Sequence, residues 1–171
     1  IHMYKGLLDV RWKMKNKALK LFWVLKMKKE EFLAVSIHEF AHFIDLYSLE
    51  KKVLKDINFY FYALSWESTK VLKPGLKQKD FVSGYAMTNK YEDFAESFTY
   101  YVLHNKDFLK KSEESKILQA KYNFLKKNVF RKGEFLETDF SEGAGREKYY
   151  RDITKISFHL EKLLIFVKKW I

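Results

Sequence analysis

Two histidines one helical turn apart, with a glutamate directly after the first, carry the clearest chemistry in this chain: His38-Glu39-Phe40-Ala41-His42. On a helix, positions i and i+4 share one face, so both imidazoles point the same way. They can converge on one metal ion at about 2.0–2.1 Å, the usual Zn–N distance. Glu39 cannot be a third ligand in this arrangement, but it can reach a water on the metal. A zinc-bound water with a pKa near about 7, beside a carboxylate base, is a hydrolytic pair. The plainer reading is two core histidines satisfied by hydrogen bonds. The residues around both are of buried type, and two polar groups on such a face need a joint explanation.

Catalytic zinc needs a third protein ligand and an open position. Downstream, Tyr91-Glu92-Asp93-Phe94-Ala95-Glu96 reads as part of a second helix, with Glu92 and Glu96 on one face. The small Ala95 lets two helices approach closely. One carboxylate could bind the metal while the other, a turn later, takes the N–H of a ligand histidine and fixes its tautomer. Spacing alone leaves open which does which. His104 lies twelve residues after Glu92 on the same expected helix, too far away to share the site. His104 and His159 both read as structural or surface residues, and His2 as a tag remnant. Tyr85 is one of eleven tyrosines, and Gly84 before it gives its loop freedom to place the ring over a cleft.

The run Val82-Ser83-Gly84-Tyr85-Ala86-Met87-Thr88-Asn89-Lys90-Tyr91-Glu92-Asp93-Phe94-Ala95-Glu96 resembles the second motif of gluzincin zinc metallopeptidases of the anthrax lethal factor type. His38 to Asp45 is similar to the zinc helix of the same family, trailing Asp included. Minigluzincins and Mlc titration factor A share the pattern more loosely. The resemblance covers about residues 31–130. It implies His38, His42 and Glu92 as ligands of one Zn2+ per chain. It implies Glu39 as general base and then acid, and Tyr85 as donor to the tetrahedral oxyanion. Glu96 and Asp45 would sit behind the ligands: Glu96 against a ligand histidine, Asp45 orienting a loop or ligand. The implied function is a zinc-dependent endopeptidase acting on a protein or peptide.

These residues need elements to hold them. With six Gly and one Pro, the chain has few breakers, so helix should dominate. Glu30 to about Leu49 has helical apolar periodicity through Phe32, Leu33, Ile37, Phe40, Ala41 and Ile44. Further helices are expected near Val53–Trp66, Lys90–His104, Ser115–Val129 and Ser157–Trp170, with Thr88 or Asn89 capping the second motif's helix. Pro74-Gly75 is the main break, and residues 77–89 and 131–151 read as loop. Leu8 to Leu25 alternates, which suggests two short strands about Lys15-Asn16-Lys17. The expected fold class is therefore α+β, predominantly helical: a zincin (gluzincin) domain with a small N-terminal sheet or hairpin and the HExxH helix. A single domain of 171 residues is expected, with a core over about 5–130 and a C-terminal loop-plus-helix extension over 131–171. Ala18 to Trp23, as an edge strand, could pair with an extended substrate, and the aromatic-rich tail could lie over the cleft.

Composition narrows the alternatives. Without cysteine, disulfide scaffolds, thiol catalysis and Cys-type zinc modules are excluded. A hydrophobic content of 47% excludes a disordered chain. The net charge of +11 raises the question of nucleic acid or anionic membrane. However, the basic residues are scattered lysines with only four arginines, so no nucleic-acid partner is expected and a membrane surface has no specific support. A monomer is expected. The alternative to the enzyme is a catalytically silent or latent peptidase-like binding module, although a retained Glu39 serves no structural need. Ile1-His2-Met3 does not read as a natural start, so compartment cannot be read.

Overall fold

Six α-helices carry the described part of the chain. The structure, a computed structural model, describes residues 27–49, 57–142 and 150–169. Helix α1, Lys29–Phe43, opens with Glu30 and Glu31, acidic groups that suit the positive end of the helix dipole. The chain stays helical to Leu49, as periodicity predicts, but Ile44–Leu49 is wound as a wider π-helix. Helix α2 spans Ile57–Ser65. Gly75, at φ 81°, takes the left-handed position after Pro74 that the break calls for.

Helix α3, Lys90–Leu103, is the centre of the molecule, buried continuously from Asp93 to Leu103. Asn89 is its cap: the side-chain oxygen accepts the N–H groups of Tyr91 at 2.9 Å and Glu92 at 3.1 Å. Helix α1 packs along α3, and this contact brings the two motifs together. Helix α4, Asn105–Ser112, has no counterpart among the expected elements. His104, at φ −138° and ψ 46°, ends α3 and restarts the chain in a new direction, too short a break to register in the periodicity. Helix α5, Lys116–Phe124, is capped by Ser115, whose hydroxyl accepts from the Leu118 N–H at 3.1 Å, and continues as a π-helix to Val129. Helix α6 spans Leu160–Lys168.

Among the described residues no β-strand forms. Three isolated bridges occur instead: Trp66 with Leu72, Ser83 with Tyr150, and Ser141 with Phe158. The expected N-terminal strands, including the Ala18 to Trp23 edge, lie outside the described residues. After residue 131 the chain turns back into the core, where Phe140, Ile153, Ile156, Phe158 and Leu163 are buried with the side chains of α3. No described helix is long and apolar enough to cross a membrane.

Behind α3 lies a buried ion pair. Lys121 Nζ from α5 sits 2.8 Å from an Asp93 oxygen, and the Trp66 indole N–H donates to Asp93 at 2.9 Å. Lys121 also donates to the Asp80 carbonyl at 3.0 Å and lies 3.8 Å from the Phe81 ring centroid. Burial pushes the Asp93 carboxyl up and the Lys121 ammonium down, and each charge opposes the other's shift. Aromatic packing continues the same layer, with Phe130 stacked on Tyr101 at 4.5 Å.

Candidate metal centre

His38 and His42 leave α1 on one face, their ring centroids 5.0 Å apart, and meet Glu92 from the first turn of α3. Glu92 Oε2 lies 3.1 Å from His38 Nε2 and 3.4 Å from His42 Nε2. All three donor atoms fall within 4.8 Å of one another. In a tetrahedral zinc site with bonds of about 2.0–2.1 Å, neighbouring donors stand about 3.3 Å apart. The spacing and the nitrogen–oxygen donor set therefore both fit a zinc ion. His38 and His42 are buried and Glu92 half-buried, so the cluster is sheltered with one side toward solvent.

Glu96, one turn after Glu92, lies on the opposite side of the His38 ring. Its Oε1 is 3.0 Å from His38 Nδ1. A carboxylate at that distance favours a proton on Nδ1, which would leave Nε2 for a metal. The other oxygen, Oε2, accepts the Ser83 hydroxyl at 2.6 Å and the Ile153 N–H at 2.9 Å. The two positions that spacing left open are thus separated by geometry: Glu92 faces both Nε2 atoms and Glu96 faces Nδ1.

In the metal-free protein these contacts set the charges. Burial alone would lower the His38 pKa, but the Glu92 and Glu96 carboxylates outweigh it and raise it to about 10. Burial acts upward on Glu92, and the two imidazoles overcome it, holding its pKa at about 2.

Tyr85, in a short 3-10 turn at Tyr85–Met87, is 41% exposed, with its ring centroid 6.0 Å from that of His38. Burial first, then the charges of Glu92, Asp152, Glu96 and Glu39, push its phenol upward. The phenol therefore keeps its proton and remains a donor. Glu39 is buried on α1 between the histidines, close enough for its charge to act on Tyr85.

Asp45 sits in the π-helical turn after His42, completely buried. It accepts the Tyr62 hydroxyl, and its carbonyl accepts the Asn58 side-chain N–H at 3.3 Å, so it ties the turn that follows α1 to α2. Burial raises its pKa to about 6 against those donors.

The rival histidines are elsewhere. His104 is buried with Nδ1 2.8 Å from the Ser141 hydroxyl, and burial lowers its pKa to about 3. His159 pairs with Glu142 at 3.1 Å. Sequence reasoning did not single out Ser83 or Ile153. Ser83 stands within the second motif, two residues before Tyr85. Ile153 contributes a main-chain N–H, for which no side-chain signal exists.

Residues 12–142 match a protein family described as "Putative zinc-binding metallo-peptidase". No curated protein and no solved structure matches the chain.

Proposed function

The chain belongs to this metallo-peptidase family, and from that premise we propose that it is a zinc-dependent endopeptidase of gluzincin type. The observation that carries the reading is the convergence of His38, His42 and Glu92 donor atoms within 4.8 Å of one another, from two helices packed face to face. His38, His42 and Glu92 would hold one zinc ion. Zinc, when bound, supplies Lewis acidity and brings the pKa of a water toward neutrality. The Glu39 carboxylate takes the proton of the attacking water and passes it to the departing amine nitrogen. The Tyr85 phenol donates a hydrogen bond to the carbonyl oxygen as negative charge develops on it. Glu96 keeps the His38 proton on Nδ1, so the other nitrogen stays free for the ion.

The partner of this chemistry is a peptide or protein chain. The block from Val82 to Glu96, similar to that of lethal-factor-type gluzincins, supports the assignment of Tyr85 and Glu92.

Elemental analysis of the purified protein is expected to give about one zinc per chain, and peptide hydrolysis is expected to vanish in Glu39→Gln with the zinc retained. Hydrolysis by Glu39→Gln at the wild-type rate would refute the role of Glu39. A protein that takes up no zinc on reconstitution would refute the enzyme reading and favour a peptidase-like binding module.

A further inference from the structure

Glu96 is completely buried, and it takes a hydrogen bond from a stretch of chain beyond the residues that match the family. One of the two donors that hold its Oε2 is the Ile153 N–H, at 2.9 Å. Ile153 begins a 3-10 turn, Ile153–Lys155, that packs against both α1 and α3. Asp152 caps this turn by accepting the Thr154 N–H at 2.8 Å and its hydroxyl at 2.7 Å. Lys155 in the same turn pairs with Glu31 on α1. Just upstream, the chain runs beside the Tyr85 loop. The Gly84 N–H donates to the Tyr150 carbonyl at 2.8 Å, and the Tyr85 N–H to the Arg151 carbonyl at 2.7 Å.

We infer that residues 150–153 are positioning residues of the metal centre: their main chain fixes Glu96, and through it His38, while anchoring the backbone of Tyr85. The inference rests on the zinc reading above and extends it to a segment whose side chains carry no motif. The physical reason is orientation. A carboxylate with one oxygen held by two donors resists rotation, which keeps its other oxygen beside His38 Nδ1, at 3.0 Å. With the Ile153 N–H removed, the Ser83 hydroxyl alone holds Oε2, and the imidazole loses part of its alignment. Loss of a direct partner to a ligand histidine costs about 10–100-fold in metal affinity. A donor one link further out is expected at the lower end, about tenfold.

Ile153→Pro removes this N–H and little else from the backbone. The residue stands first in its turn, where proline is tolerated, and Asp152 before it is already extended at φ −152° and ψ 124°. Ile153→Val keeps the N–H and controls for altered packing. Zn2+ dissociation constants come from competition with a chelator, and thermal unfolding of the metal-free proteins reports the integrity of the fold. Ile153→Pro should bind Zn2+ about tenfold more weakly than wild type, with Ile153→Val within about twofold. Equal affinities for the two folded variants would overturn the inference. If Ile153→Pro does not fold, amide exchange of the wild type decides. Saturating Zn2+ should slow exchange of the Ile153 amide by about tenfold, and an unchanged rate would overturn the inference. Wild type that binds no Zn2+ would remove the zinc reading itself, and this inference with it, before any variant is compared.

Discussion

The metal-free protein should become less stable as pH rises from neutrality to about 10, and His38 is the reason. Its pKa is near about 6.5 in an unfolded chain and about 10 in the fold. A raised folded pKa means the fold binds a proton that the unfolded chain has released. The stabilisation is therefore fully present below about pH 6.5 and lost as pH passes through about 10. Glu92 is the other side of the same contact, lowered from 4.5 to about 2. Its share is present above about pH 4.5 and lost as pH falls through about 2. The two shifts describe one cluster and are not added. The smaller shift, at about 1.4 kcal/mol per unit, gives about 3 kcal/mol, and His38 exceeds it because it faces Glu96 as well. Denaturant unfolding of chelator-treated wild type and His38→Gln at pH 7 and pH 10.5 isolates this contribution, since other groups titrate in both. The stability difference should shrink by at least about 3 kcal/mol between the two pH values. A proton NMR titration of the His38 ring should show a midpoint near 10. A midpoint near 6.5 with a flat stability difference would refute the paired, buried geometry. The same proton must leave when a metal ion binds, so zinc affinity should rise with pH.

Two further outcomes follow from the contacts described. Tyr85→Phe removes one donor to the developing oxyanion from a half-exposed ring, so kcat should fall by about 10²–10³ with KM and thermal stability little changed; a rise in KM alone would assign Tyr85 to substrate binding. Lys121→Met leaves the Asp93 carboxylate buried without its cation and should cost about 3–5 kcal/mol in denaturant unfolding, whereas a cost under about 1 kcal/mol would mean that the pair is not held in its charged form.

What the sequence determined by itself was local. The spacing from His38 to His42 puts two imidazoles on one side of α1 because 3.6 residues make a turn, whatever surrounds the helix. Asn89 is a cap because its short side chain reaches the N–H groups that open α3. The predominance of helix followed from the scarcity of glycine and proline. The tertiary structure decided which glutamate faces which nitrogen. Glu92 and Glu96 are both one turn apart on the same face, and only the placement of α1 against α3 puts Glu92 at 3.1 Å from Nε2 and Glu96 at 3.0 Å from Nδ1 of His38. It also decided that Lys121, unremarkable among many lysines, is buried against Asp93. Finally, it brought the Ile153 N–H to Glu96 across 57 positions of chain. Every residue but proline carries that N–H, so its partner is set by how the chain packs and leaves no mark in the order of side chains.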